Sequence, residues 1–455
     1  MNKALRVAFA FGLFTFIISG RLMSQTQTRP ESDSTDTEAK SGLNLGLLPV
    51  VGYNSDIGFQ YGGIVNLFNY GDGSLYPEYR YSVYAEVSRT TKGSGVNQLF
   101  FDSWHLLPHD IRITADLSYL TELALDFYGF DGYTARYRPG FETTGDAEYI
   151  SRMFYRVQRK LFRFSADFQG GINGRTLRWF GGISWFDVNI SNVNIEKLNK
   201  GKDPDDMLPD TTSLYDHYTG LGLIPEVEST GGPVPGLKAG LIYDTRDNEP
   251  APNKGIWSEA ILFYCPEIAA GQDYHYLKVA LTYRQYFSLV PGRLVTAVRL
   301  GYQGTIAGQA PWFMEPYMIT SFPKATTTDG LGGAKTLRGI LRNRVVGSNI
   351  ALGNVELRWK FLKRRIQNQN LYLAANLFAD GGQTVGKYHW AVDPAILAAD
   401  YPDLFTGEAD RLHMTYGAGL RIAMNENFII AVDWGHAVNS QDGKSGLYIG
   451  IGHLF

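Results

Sequence analysis

The chain of 455 residues has a single cysteine, Cys265, which excludes an intramolecular disulfide, a Cys-based zinc site and an iron–sulfur cluster in the monomer. Charge is also scarce: Asp, Glu, Lys and Arg make up 19% of the residues, against roughly a quarter in ordinary soluble proteins. The 42 basic residues are offset by 45 acidic ones, and a net charge of −3 supplies no field for a nucleic acid partner. No apolar run reaches the ~20 residues of a membrane-spanning helix. Signatures of catalysis are missing as well, with neither a Gly-x-Ser-x-Gly elbow nor a His-Glu-x-x-His pair. Residues 330–336 read Gly-Leu-Gly-Gly-Ala-Lys-Thr, but Ala334 stands where a phosphate loop needs glycine. Asp216-His217 is an isolated loop pair, and only His105 and His109, flanking Pro108, are closely spaced histidines. An outer-membrane hydrolase is therefore the remotest reading, and no catalytic residue, metal ligand or cofactor is expected.

What the chain does have is glycine, 51 residues, and aromatic rings, 14% of the total, which is the composition of a β-rich protein. Its one sustained apolar run, Val7 to Ile18, follows Lys3 and Arg6 and precedes Ser19, Gly20 and Ser24. Charge, length and position make residues 1–24 a secretory signal peptide. Residues 25–42, rich in Ser, Thr, Asp and Glu, are expected to be a disordered periplasmic lead-in.

From Leu43 onward, segments of about ten residues alternate apolar and polar side chains, the period of a strand. Ile111, Ile113, Ala115, Leu117 and Tyr119 alternate with Arg112, Thr114, Asp116 and Ser118. The last ten residues place Leu447, Ile449, Ile451 and Phe455 opposite Gly446, Tyr448, Gly450 and Gly452. Greasy faces either meet inside a soluble sandwich or face lipid around a polar lumen. Entry into the secretory route, with aromatics at the segment ends, selects the transmembrane antiparallel β-barrel over residues 43–455. Sixteen segments are predicted: 43–53, 56–69, 79–89, 95–106, 109–122, 150–171, 175–190, 235–244, 255–265, 273–289, 291–306, 349–361, 371–383, 412–424, 426–437 and 446–455. The segment 150–171 has the length of two strands, but dividing it breaks the even count that puts both termini on the periplasmic side. The longest connections then all fall on the outer side, and Asn425-Glu426-Asn427 is a tight inner turn.

Three motifs go beyond a generic barrel. Strand eight ends in Asp244-Thr-Arg246-Asp247-Asn248, followed by Pro250, Pro252 and Lys254-Gly255; taken alone, this is a polar Asx-type turn on the periplasmic side. Lys335-Thr-Leu337-Arg338-Gly339-Ile340 lies in the long connection before strand twelve, and alone is a solvated turn. Phe378-Ala-Asp380-Gly381-Gly382 ends strand thirteen, where alternation points Asp380 into the lumen with Asn376 and Phe378.

In order and spacing, these motifs and the C-terminal Gly417-Ala-Gly419-Leu-Arg421, Asp433-Trp-Gly435 and Phe455 resemble the BamA/TamA superfamily of outer-membrane assembly barrels, also called bacterial surface antigen proteins. The resemblance covers about Leu43 to Phe455. It implies that the loop before strand twelve folds into the lumen and that Arg338 pairs with lumen acids, with Asp380 the first partner and Glu356 a second. Arg338, Gly339, Glu356, Phe378, Asp380 and Gly382 would form this latch. Ile340 stands where the family usually has an aromatic residue, which puts ring stacking at that position in question. The resemblance further implies a weak seam between first and last strands that opens for client outer-membrane proteins, and a C-terminal insertion signal in Tyr448, Gly450 and Phe455. Gly446, Gly450 and Gly452 either weaken that seam or make room for the inserted loop.

The chain departs from the family at its N-terminal end. Residues 25–42 are too short for a POTRA module, so client capture is expected either to be absent or to come from a periplasmic accessory protein in trans. Outer-membrane lipid is the expected surrounding. The implied role is insertion, assembly or translocation of proteins, or of lipids, at the outer membrane. The alternative is a passive porin-like channel, because lumen positions Arg80, Arg112, Lys238, Arg284, Arg299 and Arg421 mixed with Glu86, Asp116, Glu356 and Asp380 give no clear selectivity.

Overall fold

The computed structural model describes residues 41–455 except 77, 322–328, 367–368, 387 and 425–427. The expected signal peptide, nearly all of the lead-in and the Asn425-Glu426-Asn427 turn lie outside the described residues. Sixteen strands follow in order: β1 (Leu43–Asn54), β2 (Gly58–Asn69), β3 (Tyr81–Thr90), β4 (Gly95–Ser103), β5 (Arg112–Asp126), β6 (Arg156–Asn173), β7 (Leu177–Ser191), β8 (Gly231–Asp244), β9 (Gly255–Cys265), β10 (Tyr276–Val290), β11 (Leu294–Gly308), β12 (Asn349–Ile366), β13 (Gln369–Thr384), β14 (His413–Met424), β15 (Phe428–Ala437) and β16 (Ser445–Ile451). Each pairs antiparallel with its sequence neighbours, and β1 pairs with β16 to close a barrel. The segment 150–171 gives one strand, so the even count holds. Among the described residues no helix is long and apolar enough to cross a membrane.

Burial is inverted relative to a soluble protein. On β5, Leu117 and Tyr119 are each 45% exposed, while Asp116 and Ser118 on the same strand are 1% and 2% exposed. The same inversion exposes Leu300, Leu377, Trp359 and Trp434 and buries Arg163, Glu356 and Arg421. Alternation with the greasy residues outward fits a wall with lipid outside and a polar, side-chain-filled lumen.

The seam is thin. β1 and β2 are in register over the whole of Leu43–Asn54, whereas β1 meets β16 only at Tyr53↔Ile449 and Asn54↔Tyr448, extended by Ser55 N–H to the Leu447 carbonyl at 3.1 Å. Among the described residues the edge of β1 from Leu43 to Gly52 has no ladder partner on that side.

The four long connections, 127–155, 192–230, 309–348 and 385–412, share one rim, the loop rim. They pack into a cap whose core is aromatic. Phe130 stacks on Tyr388 at 4.1 Å, and Phe127 meets Tyr218 and Trp312 edge-on at 5.3 and 5.6 Å. This cap explains where the expected sixth strand fails: residues 150–155 leave the wall because Phe154 and Tyr155 are buried in the cap. Two short helices, α1 (Ile195–Asn199) and α2 (Leu214–Gly220), lie in the second connection. The Asp216-His217 pair resolves here, since Asp216 closes a capping box with Ser213 at the start of α2. His413 ties three connections together, its ring nitrogens 2.8 Å from Asp442 and Asp410 and its face 4.0 Å from Tyr133.

Leu300 sits mid-strand on the lipid face of β11. Leu300→Arg is expected to destabilise the vesicle-inserted barrel by about 2–4 kcal/mol in urea titrations. A neutral result would mean that this face does not contact hydrocarbon.

Candidate functional site

Three neighbouring parts of the wall each present a carboxylate to the lumen: Glu356 on β12, Asp380 on β13 and Asp433 on β15. All are buried, so each needs a cation or several donors. The connection 309–348 supplies one by entering the lumen. Arg338 is 1% exposed and uses main chain and side chain together. Its N–H and Nε donate to Asp380 Oδ2 at 3.1 and 3.0 Å, and its Nη2 donates to Asp380 Oδ1 at 3.0 Å. Its Nη1 donates to Glu356 at 2.6 Å and to Asp433 at 3.3 Å. A planar fork with five N–H groups is the side chain that can serve three carboxylates at once.

The network is balanced. Arg358 donates to Glu356 at 2.8 Å, and Arg421 takes Asp433 with two bonds of 2.8 and 2.9 Å. Around the charges, Leu331, Leu337, Ile340, Val345, Ile350, Leu352 and Ala437 form a buried apolar sleeve. Ile340 belongs to that sleeve, and the ring that stacks on Arg338 comes from Phe378 instead, 3.5 Å from the guanidinium carbon.

Glycines make the approach close enough. Gly339 has φ +101°, and a Cβ there would lie 2.5 Å from the Gly435 carbonyl carbon. Gly382 and Gly417 leave room for Leu331 and for the Phe378 ring respectively. The loop is then pinned to the last strand, because Gly339 N–H donates to the Tyr448 hydroxyl at 3.0 Å. A Cβ at Gly446 would strike that same hydroxyl, so this glycine makes room for the loop's anchor, whereas Gly450 faces open space.

Asp433, Arg358 and Arg421 are the partners that sequence reasoning missed as latch members. Alternation along β15 would put Asp433 on the face opposite Trp434, a signal that was legible but unused. Phe455 requires a correction. Expected on the lipid face of the last strand, it is buried in the lumen, because β16 stops at Ile451 and Gly452, φ +90°, turns the chain inward. There its ring lies 6.4 Å from Tyr286, with the guanidinium carbons of Arg299 and Arg358 at 5.2 and 5.3 Å. Tyr448 and Phe455, expected on opposite faces of the last strand, are thus both buried.

Asp244, Arg246 and Asp247 lie at the opposite rim, away from the latch. Arg246 takes Asp244 with bonds of 2.9 and 2.8 Å, and Asp247 Oδ1 accepts the Asn253 and Lys254 N–H groups at 2.9 and 3.2 Å. The turn so braced reaches across the mouth. Ala251 is buried among Tyr372, Ala374, Ala423 and Ile429, and Asn253 accepts from Lys360 at 2.9 Å.

At the loop rim a cavity of about 70 Å³ separates the β1–β2 turn from Gly332, Gly333 and Lys335. Asp56 projects there with its Oδ2 buried and without a hydrogen-bond partner. Burial, reinforced by Asp126 and opposed by Arg342, Lys92 and Arg156, pushes its carboxyl from 3.8 up to about 7.

Residues 235–455 match the Omp85 superfamily domain. At the level of sequence, no curated protein is similar to this chain. Among solved structures it is similar to BamA from Haemophilus ducreyi, crystallised without POTRA domains 1–3, at 15% identity and a TM-score of 0.54, covering 91% of this chain and 71% of that one. It is also similar to CdiB from Escherichia coli, at 12% identity and a TM-score of 0.52, covering 97% of this chain and 71% of that one. These likenesses establish a shared barrel fold.

Two outcomes follow from the geometry. Arg338→Met strands Asp380 and leaves Glu356 and Asp433 with one cation each, and is expected to cost about 3–5 kcal/mol in urea unfolding, while adding Asp380→Asn recovers much of the loss. Failure of the double variant to exceed the single one would show that the two charges are not coupled. At Asp56 the fold holds a proton that the unfolded chain releases near 3.8, so stability falls as pH rises from there to about 7 and is flat above. Asp56→Asn is expected to remove that slope from thermal midpoints measured between pH 4 and 8.

Proposed function

The chain carries an Omp85 superfamily domain over residues 235–455 within a closed sixteen-strand barrel, and from that premise we propose that it assists the insertion, assembly or translocation of proteins at the outer membrane, with both of its termini on the periplasmic side. The observation that carries this reading is the seam. Among the described residues two residue pairs join β1 to β16, and the Leu43–Gly52 edge of β1 offers unpaired N–H and C=O groups to an incoming strand. Arg338, Gly339, Glu356, Phe378, Asp380 and Gly382 act as the latch. They hold the loop and the β12–β16 wall as one body while the seam moves.

The role is mechanical, and no residue is assigned a chemical step. Client barrels pair with the β1 edge, outer-membrane lipid receives them, and a periplasmic protein acting in trans delivers them. Lipid is a second cargo that the same seam would pass sideways. A passive channel fits less well, because the loop fills the lumen beside β11–β15 and the aromatic cap covers the loop rim.

The test is a cross-link at the seam. Tyr53 and Ile449 are direct cross-strand partners, so Tyr53→Cys with Ile449→Cys places two thiols within disulfide range. In vesicles, the reduced protein is expected to speed folding of an unfolded eight-stranded outer-membrane barrel, the oxidised protein to lose that effect, and reductant to restore it. Equal acceleration in both redox states would sink the seam mechanism. Steady conductance with no effect on client folding would favour the passive channel.

A further inference from the structure

At the rim carrying the chain ends the wall is uneven, because β12 runs past its neighbour. Its ladder with β11 stops at Leu294↔Trp359, and the Lys360 N–H donates to the Arg293 carbonyl at 2.7 Å. Beyond that bond β12 continues to Ile366 paired with β13. Among the described residues the β11 side of 361–366 has no ladder partner, so this overhang and the β10–β11 turn at 291–293 frame an open notch.

A β-bulge decides what the overhang presents. Up to Lys360 the even residues of β12 are buried on the lumen side, as Glu356, Arg358 and Lys360 are. The register then shifts between Lys360 and Leu362, with Phe361 the extra residue, and the alternation inverts. Leu362 and Arg364 stand opposite Leu373 and Leu371 on the outer face, whereas Lys363 stands opposite the buried Tyr372. In unbroken register Arg364 would share the lumen face with Arg358 and Lys360.

Three cations border the notch. Arg293 in the turn and Lys363 and Arg364 on the overhang are all exposed, and none of them has an ion pair among the described residues. Lys363 Nζ reaches over the turn, 3.2 Å from where a Cβ on Gly292 would stand. Cations elsewhere on this rim are matched, Arg175 by Glu78 and Arg246 by Asp244. The outer face leading to the notch is apolar and aromatic instead. Phe287, Leu289, Trp359, Phe361 and Leu362 are exposed there, and the Trp359 and Phe361 rings lie 5.6 Å apart.

Exposed rings that end in unmatched cations fit one kind of surface, an acyl layer with negative charge at its headgroups. An acidic protein segment would satisfy the cations but leave the rings in water. We propose that Arg293, Lys363 and Arg364 bind the headgroup of an anionic phospholipid whose acyl chains lie along Trp359, Phe361 and Leu362. With the termini on the periplasmic side, that lipid belongs to the inner leaflet of the outer membrane. The notch is open to headgroups from the side, and the bulge is what delivers the Arg364 fork to them.

The test uses full-length protein in phosphatidylcholine vesicles doped with equal fractions of either phosphatidylglycerol or phosphatidylcholine brominated on the upper acyl chain. Bromine quenches tryptophan on contact, and the Trp359 signal is isolated as the difference between wild type and Trp359→Phe. Brominated phosphatidylglycerol is expected to quench Trp359 more strongly than brominated phosphatidylcholine, and added salt to reduce the excess. Arg293→Gln, Lys363→Gln and Arg364→Gln should each weaken this preference about two- to fivefold, and the triple variant should lose it. Arg293→Lys with Arg364→Lys keeps the charge and should keep the preference. Equal thermal midpoints of all variants in pure phosphatidylcholine check that the barrel is intact. Equal quenching of wild type by the two brominated lipids, or an excess that survives in the triple variant, overturns the site. Should soluble polyglutamate shift Trp359 emission while the two lipids quench equally, the notch takes an acidic protein segment and the lipid assignment falls.

Discussion

One guanidinium organises the lumen. Arg338 meets carboxylates from β12, β13 and β15, and among the described residues of the connection 309–348 no other cation is in contact with all three. Ion pairs of this kind add little net stability, because desolvating six charges offsets most of their attraction. Their effect is selective. A loop shifted by one residue would leave Asp380 buried without its cation and Glu356 and Asp433 with one fewer each, so the network specifies a single seating of the loop while the apolar sleeve around it supplies the burial energy. Gly339 and Gly435 are consequences of that seating, since the loop backbone must come within contact distance of β15 for the fork to reach Asp433.

The same seating divides the wall into a strong part and a weak one. The loop bonds to β11, β12, β13 and β15, and β16 is held through Tyr448. Among the described residues β1 receives no such tie. Its contact with the β16 edge is two residue pairs and the Ser55 hydrogen bonds, whereas its contact with β2 runs its full length. The barrel is closed as a topology but uneven as a mechanical object.

How much of this could be read from the sequence depends on the range of the interaction. Strand number and the lumen faces of Glu356, Asp380 and Asp433 follow from a period-two pattern that is local and repeated, and the structure keeps them. The aromatic cap was not legible, because Phe154 and Tyr155 fit a strand pattern as well as they fit a loop core, and only packing against other loops decides. Ile340, two positions beyond Arg338, left ring stacking in question, and the ring on Arg338 comes from Phe378 across the lumen. Phe455 was misplaced for the opposite reason. Extending the alternation through Gly452 is the natural local reading, and one residue at positive φ cancels it by turning the chain toward Tyr286, Arg299 and Arg358.

Tyr448 is where strength and weakness meet. Its backbone pairs with Asn54 across the seam, and its hydroxyl accepts the Gly339 N–H from the latch. Each cross-strand pair contributes roughly 0.2–1 kcal/mol, so two pairs hold the seam with little more than thermal energy to spare. Breaking into the Arg338 network costs about 3–5 kcal/mol for the first lost partner. A sideways force on the wall therefore separates β1 from β16 before it disturbs the loop, and β16 leaves with the latch, not with β1. The edge that becomes free belongs to β1, whose lower part from Leu43 to Gly52 lacks a ladder partner among the described residues even in the closed barrel.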